Sequence, residues 1–397
     1  MKNRHHLFFT IVVIALIIKL SLFAFAAIHA PQSKIQPDSD SYIKTSATLA
    51  SKGVFALQDE KGAFVYDIVR TPGYPLFLAL FNGVMKVPFN GIILIQIGMT
   101  LLTALIVYRA ALEIDPKIAL LSSVIILLDP PITIFSLMIL TETLFMFLMA
   151  LFILCFTLYL KRREAVFLLS SALLLAFATY VRPISYYLGF AVAVFIVYAL
   201  RKDGLKKALS HALILLLIVY SLIGAWQFRN YARCESAAFS SLERSNLSGI
   251  GLIKSYGRNK DPFTKNASPV AYYTSVSVRC LMSLMTRPGN LKYLQSDLLT
   301  AVGKVLSYPW MILWMLGFIW GIIRMRRNIY YQFLLFAALY FIVISVVGAM
   351  WTAGERLRVP IMPFIAIISA YGWASPLKGS VPTRGKGDCH ALCDRHL

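Results

Sequence analysis

Two carboxylates, Asp38 and Asp40, stand in the segment PDSDSY just after the first long apolar run. An acid held at a lipid–water boundary carries a desolvation cost, so an apolar chain rarely places acids there without use. A structural role is the alternative, because Asp38 or Ser39 could serve as the N-cap of a helix. Asp38 and Asp40 are therefore candidate site residues.

Arginine, tyrosine and glutamate recur at the ends of other apolar runs. A guanidinium group can clamp a phosphate bidentately, and a nearby carboxylate can take a proton from an attacking hydroxyl. Together they suit displacement at an anomeric carbon whose leaving group is a lipid phosphate. One arginine at a helix end is usually a snorkelling anchor, but several such turns on one side favour a common site. The candidate substrate-binding residues are Arg70, Tyr74, Glu142, Arg182, Arg356 and Arg358.

The composition requires that these residues be positioned by membrane-spanning helices. Hydrophobic residues make up 58% of the 397, charged residues only 14%, and the mean hydropathy is +0.70. A soluble domain carries roughly 25% charged residues, so a soluble protein is excluded. We predict an all-α polytopic protein with about ten spans, near residues 7–28, 88–108, 118–135, 137–159, 165–181, 184–200, 208–228, 307–323, 329–350 and 359–375.

The basic residues of the short connections are concentrated on one side. By the positive-inside rule that side is cytoplasmic, which predicts that both termini are cytoplasmic and that the candidate site is periplasmic. Two long periplasmic loops follow, residues 29–87 and 229–305, within a transmembrane domain of residues 1–375 and before a polar cytoplasmic tail, 376–397. The basic connections hold Lys2, Arg4, Arg109, Lys117, Lys161, Arg162, Arg163, Arg201, Lys202, Lys206, Lys207, Arg324, Arg326 and Arg327.

The first long loop opens with a helical pattern. Tyr42, Ile43, Ser46 and Leu49 recur at helical spacing before Gly53, which predicts an amphipathic surface helix over about 39–52.

The net charge of +21 is explained by the basic residues of the cytoplasmic connections together with a basic outer face. Such a face beside a bilayer favours anionic lipids and phosphate groups over nucleic acid as partners.

A series of motifs carries a family resemblance. PDSDSYIKTSATLA, RTPGYPLFLAL, LTETLF, YVRPI and GERLRVPIMP occur in this order over about residues 1–375. The series resembles bacterial glycosyltransferase family 39, which includes protein O-mannosyltransferases and lipid A aminoarabinose transferases. The resemblance implies the GT-C architecture, a polyprenyl-phosphate sugar donor and an essential acid in the first outer loop. Carried over to this sequence, it implies Asp38 as the candidate general base, with Asp40 as the alternate. The Asp-Glu pair of the eukaryotic enzymes is absent, and the acceptor is left open.

The resulting expectation is an inverting hexosyl- or pentosyltransferase of the bacterial inner membrane. It would act on a periplasmic protein, glycan or lipid A-like acceptor, with no certain cofactor, although acids in this fold sometimes hold a divalent cation. The alternative is a lipid or glycan transporter or flippase. Transport sites usually lie near span midpoints, where we expect no charged side chain, and no internal repeat is visible.

Three smaller predictions concern the last outer turn, the cysteines of the second long loop and the polar tail. Pro360 restricts Val359 to extended geometry, so Arg356 and Arg358 should point to one side, and at least one should pair with the cavity acids. Cys234 and Cys280 share the second long loop and could form a disulfide. The tail holds four potential zinc ligands at compressed spacing: Cys389, His390, Cys393 and His396.

Overall fold

A computed structural model describes residues 2–58, 61–241, 269–287, 297–324, 328–349 and 354–374. Helices dominate the described chain. They are α1 Lys2–His29, α2 Pro37–Lys52, α3 Gly73–Leu78, α4 Phe89–Ile114, α5 Ala119–Leu127, α6 Pro130–Ser136, α7 Glu142–Arg162, α8 Ala165–Val181, α9 Leu188–Leu200, α10 Leu205–Cys234, α11 Pro269–Thr286, α12 Asp297–Arg324, α13 Ile329–Ala349, α14 Glu355–Arg358 and α15 Met362–Ala374. A π-helix, Ala79–Val84, continues α3, and two strands, β1 Ala56–Gln58 and β2 Phe64–Tyr66, pair antiparallel.

The chain is a multi-pass membrane protein. Within the described residues, eight helices are long and apolar enough to span a bilayer, and the bent pair α5–α6 would make nine. All ten predicted segments fall on helices. Helix α8 is not among the eight because it has only 17 residues. The continuous span expected at 118–135 is instead two helices, α5 and α6, bent by 53°.

The break between α5 and α6 has a local cause. Pro130 and Pro131 cannot donate the backbone hydrogen bonds that would continue α5, and Pro130 is favourable as the first residue of a new helix. The carboxylate of Asp129 then caps α6, because its Oδ1 accepts a hydrogen bond from the amide of Ile132 at 3.0 Å. After α6, residues 137–141 are not helical, so α7 begins at Glu142 rather than near residue 137.

The first long loop contains the expected helix, α2, and then the β1–β2 hairpin. Its N-cap is Gln36, whose amide donates to the hydroxyl of Ser39 at 2.9 Å, so neither Asp38 nor Ser39 is the cap. Gly53 ends α2 with φ of 68°, a left-handed conformation that glycine adopts without strain. The buried stripe of α2 includes Tyr42 and Thr45.

One charged side chain does lie well inside a span, contrary to expectation. Lys19 of α1 is buried, and its ammonium group donates to the hydroxyl of Thr133 on α6 at 2.8 Å. A buried ammonium group is tolerated when it finds polar partners, and the broken α5–α6 segment supplies them.

Among the spans of the described residues, the segment that begins at Arg356 is the most buried. Residues 359–372 are buried throughout, and α15 lies against α12 and α5. The α12–α15 crossing requires glycine, because a Cβ on Gly372 would overlap the backbone of Gly317. This packing holds residues 359–372 in place. Because they follow α14 directly, it also positions α14 at the candidate site.

Candidate active site

Asp38 lies on α2 and binds two arginines from distant parts of the chain. Its Oδ1 accepts a hydrogen bond from Nη2 of Arg70 at 2.9 Å, and its Oδ2 accepts one from Nη1 of Arg356 at 2.5 Å. Arg70 also donates to the hydroxyl of Tyr42 at 3.2 Å, and its guanidinium group lies 4.7 Å from the centre of that ring. Helix α2 thus presents an acid and an aromatic ring, one helical turn apart, to the same arginine.

Glu142 is the first residue of α7 and is completely buried. Its Oε1 accepts hydrogen bonds from Nη1 of Arg182, at 2.9 Å, and from Nε of Arg356. Arg182 follows α8 and donates also to the hydroxyl of Thr141 at 3.2 Å. A buried carboxylate is costly unless it is paired, and two guanidinium groups supply that pairing.

Arg356 joins the two acids into one network. Its guanidinium group contacts Asp38 and Glu142 together, which confirms that at least one arginine of the last turn pairs with the cavity acids. We call Asp38, Glu142, Arg70, Arg182 and Arg356 the acid–arginine cluster. The side chains of Asp38 and Arg356 are 33% and 35% exposed, so the cluster is open on that side.

The electrostatics of the cluster keep Asp38 ionised. Partial burial favours the neutral carboxyl, but the charge of Arg356 and the hydrogen bonds from Arg70 and Arg356 outweigh it. The pKa of Asp38 is therefore below its ordinary value.

Arg358 does not join the cluster. The expected extended geometry is wrong, because residues 355–358 form the short helix α14 and 359–361 a 3₁₀ turn, so the two arginines diverge. Arg358 is buried and donates to the carbonyl oxygens of Leu284, Met285 and Arg287, at 2.9, 3.1 and 2.9 Å. A cation at these last carbonyls stabilises the C-terminal end of α11.

Two other predicted residues also lie outside the cluster. Asp40 is exposed on the far side of α2 and pairs with Lys44 at 2.6 Å. Tyr74 is completely buried, and its hydroxyl donates to Oε1 of Gln96 at 2.9 Å. The ring of Tyr74 packs edge-on against the ring of Tyr42, with 5.3 Å between the centroids. Tyr74 therefore supports Tyr42, which in turn contacts Arg70.

Two polar residues that support the site, Gln96 and Asp67, were not among the predicted residues. Gln96, inside the span α4, donates to the carbonyl oxygens of Ser136 and Met138, at 3.2 and 2.6 Å, and so holds the irregular segment that precedes Glu142. Asp67 is buried beside Arg70. An amide within an apolar span was a signal for Gln96, whereas Asp67 had no signal beyond its closeness to Arg70 in the sequence.

The remaining predictions concern metals and cysteines. Within the described residues, no group of three or more His, Cys, Asp or Glu side chains could hold a metal ion. Cys234 and Cys280 do not form the disulfide that their shared loop allowed. The tail with Cys389, His390, Cys393 and His396 lies outside the described residues.

Comparison with known proteins agrees with the motif series. The family model described as dolichyl-phosphate-mannose-protein mannosyltransferase matches residues 69–226. None of the curated proteins matches the chain.

Solved structures show the fold. ArnT from Cupriavidus metallidurans bound to undecaprenyl phosphate superposes with a TM-score of 0.57 at 13% identity, covering 91% of this chain and 59% of its own. AglB from Archaeoglobus fulgidus, in complex with an inhibitory peptide and a dolichol-phosphate, superposes with a TM-score of 0.56 at 14% identity, covering 93% and 50%. This chain therefore spans 59% of the length of the ArnT chain and 50% of that of the AglB chain. The resemblance is confirmed: the chain has the fold of the GT-C superfamily of glycosyltransferases.

Proposed function

We propose that this chain with the GT-C fold is an inverting glycosyltransferase of the bacterial inner membrane. It moves one hexose or pentose from a polyprenyl-phosphate carrier to a periplasmic protein, glycan or lipid acceptor. The observation that carries the proposal is the bridge made by Arg356 between Asp38 and Glu142. It joins acids and arginines from five separate segments of the chain at one open site.

The charges of the acid–arginine cluster suit a lipid phosphate. Three guanidinium groups face two carboxylates, so one positive charge remains for a substrate anion. A sugar linked to a polyprenyl phosphate is a phosphodiester with one negative charge. Arg356 contacts Asp38 at the exposed side of the cluster, and it can exchange that carboxylate for a phosphate oxygen without leaving Glu142.

The proposed reaction is a single displacement. The acceptor hydroxyl oxygen attacks the anomeric carbon as the bond from that carbon to the phosphate oxygen breaks, and the carrier leaves as polyprenyl phosphate. Asp38 accepts the hydroxyl proton once Arg356 turns to the phosphate, while Arg70, Arg182 and Arg356 stabilise the growing charge of the leaving group. If the acceptor is itself a phosphate, no proton is removed and Asp38 positions the acceptor. The proposed reaction needs no divalent cation, and the binding of such a cation stays a prediction.

The orientation is also part of the proposal. The distribution of lysine and arginine supports cytoplasmic termini, which puts α2 and the acid–arginine cluster at the periplasmic face. A carrier dissolved in the bilayer can reach a cluster at this depth laterally. The undecaprenyl phosphate bound to ArnT and the dolichol-phosphate in the AglB complex support a lipid-phosphate donor.

Transport is the second candidate, and buried Lys19 is the observation that favours it. The contact of Lys19 with Thr133 joins helices α1 and α6, and it does not mark a path through the described residues. Transfer is therefore the better supported function.

The test of the proposed function is to reconstitute the protein in vesicles with a panel of labelled undecaprenyl-phosphate sugars and periplasmic extract. Transfer predicts release of undecaprenyl phosphate and labelled acceptor, whereas passage of intact labelled lipid between leaflets without release would contradict it. Mass analysis of envelope glycans after gene deletion would then identify the sugar and acceptor.

A further inference from the structure

The turn at residues 67–70 contains a buried acid that the proposed reaction does not use. Asp67 follows β2 and is only 3% exposed. Its Oδ1 accepts hydrogen bonds from the backbone amides of Val69 and Arg70, at 2.8 and 3.0 Å. Its Oδ2 accepts one from the hydroxyl of Thr45 at 3.0 Å. Three hydrogen bonds to a buried carboxylate offset the cost of its burial and fix the backbone of the turn.

The contact with Thr45 ties this turn to the helix that carries Asp38. Asp38, Tyr42 and Thr45 are four and three residues apart, so they form one stripe along α2. Each member of the stripe contacts the turn: Asp38 and Tyr42 bind the guanidinium group of Arg70, and Thr45 binds Asp67. Helix α2 and the turn are therefore held together at three levels.

The opposite edge of the turn is held by the end of α10 and the chain that follows it. The carbonyl oxygen of Asp67 accepts from Nη1 of Arg229 at 3.2 Å, that of Ile68 from the amide of Ser241 at 2.9 Å, and that of Val69 from the hydroxyl of Ser240 at 2.6 Å. These hydrogen bonds fix the turn to α10 and the chain that follows it, and the side chain of Asp67 fixes the turn to α2. The distance between Arg70 and Asp38 depends on both sets of contacts.

We infer that Asp67 is a positioning residue that sets Arg70 against Asp38, and that it acts on transfer through Arg70. The inference rests on the proposed function, because it assigns Asp67 a task within that same site. Small displacements of a positioned group reduce catalysis strongly, by about 10²-fold for 1 Å.

A double-mutant cycle in the transfer assay tests the inference. Asp67→Ala should lower kcat/KM by about 10- to 100-fold in the wild-type background. In an Arg70→Gln background it should cause little further loss, since two changes that act through one contact are not additive. A general structural defect would lower the rate by the same factor in both backgrounds, and that result would overturn the inference.

Two further variants sharpen the cycle. Asp67→Asn should recover most of the activity, because its carbonyl oxygen can accept from both amides while its amino group donates to Thr45. Asp115 provides the matched control, since it accepts from the amide of Lys117 at 2.9 Å in a turn after α4 that is remote from the cluster. Asp115→Ala should leave turnover unchanged. If Asp67→Ala cannot be recovered from membranes, Thr45→Val replaces it in the cycle, with the same expected dependence on Arg70.

A structure of the Asp67→Ala protein separates failure of this inference from failure of the proposed function. The inference predicts a longer distance between Arg70 and Asp38, whether or not the wild-type protein transfers sugar. An unchanged 2.9 Å contact would refute the positioning role. A wild-type protein that transfers no sugar would refute the proposed function alone.

Discussion

Arg356 and Arg358 are separated by one residue, yet the structure satisfies their guanidinium groups in opposite ways. Arg356 binds two carboxylates that come from different helices, at a site that is open on one side. Arg358 is enclosed by the carbonyl oxygens of Leu284, Met285 and Arg287. A phosphate can replace a carboxylate as the partner of an arginine, but backbone carbonyls that lose their donor in the interior stay unsatisfied. The partners of a buried cation therefore separate a ligand site from a structural anchor.

The largest expected effect concerns the acid of the open region. Asp38→Asn should reduce turnover by about 10²–10⁴-fold, the usual contribution of general acid–base catalysis, with little change in protein level. Asp40→Asn is the matched control, because Asp40 is on the same helix but pairs only with exposed Lys44 among the described residues. Initial rates of sugar transfer measure both. Full activity of Asp38→Asn together with loss in Asp40→Asn would reverse the assignment of the two acids.

The second prediction compares the two arginines directly. Arg356→Lys should reduce turnover by about 10²-fold, because an ammonium group lacks the planar fork that contacts Asp38 and Glu142 together. Arg358→Lys should instead lower stability by about 1–3 kcal/mol through unsatisfied carbonyls, while the folded protein keeps its turnover. Thermal unfolding and transfer rates, measured on the same preparations, distinguish the two effects. Normal transfer by the double lysine variant would make both arginines anchors only.

The smallest effect is on the pH dependence of stability. The pKa of Asp38 is depressed in the folded protein, so its ion pairs stabilise the fold fully above the unfolded-state pKa of about 3.9 and are lost as the pH falls through the folded-state value. The difference in unfolding temperature between wild type and Asp38→Asn should stay constant from neutral pH down to about pH 4 and shrink below it. A difference that already disappears above pH 5 would contradict the depressed pKa.

The comparison also shows what the sequence could reveal. Apolar runs and basic connections predicted the spans, and the helical pattern after Pro37 predicted α2, because these features are local. The contacts of Arg356 and Arg358 are not local: Arg356 meets α2 and α7, and Arg358 meets the end of α11. Pro360 suggested extended geometry, but it stands in the first positions of the 3₁₀ turn 359–361, where a helix tolerates proline. Residues 355–358 are helical as well, so the side chains of Arg356 and Arg358 point apart.

The contacts of polar side chains inside the spans were not predicted either. Lys19 and Gln96 stand in apolar runs, where the sequence pattern predicts only lipid or packing contacts. The break at Pro130 and Pro131 exposes backbone and side-chain oxygens around α6, which both residues bind. The need for these partners becomes visible only when α1, α4 and α6 are brought together.

A structure of the protein with bound undecaprenyl phosphate tests the central claim most directly. The account predicts that the phosphate lies within hydrogen-bonding distance of Arg356 and of Arg70 or Arg182, and that the contact of Arg356 with Asp38 is broken while its contact with Glu142 remains. A phosphate bound away from these arginines, with every ion pair of the acid–arginine cluster intact, would contradict it.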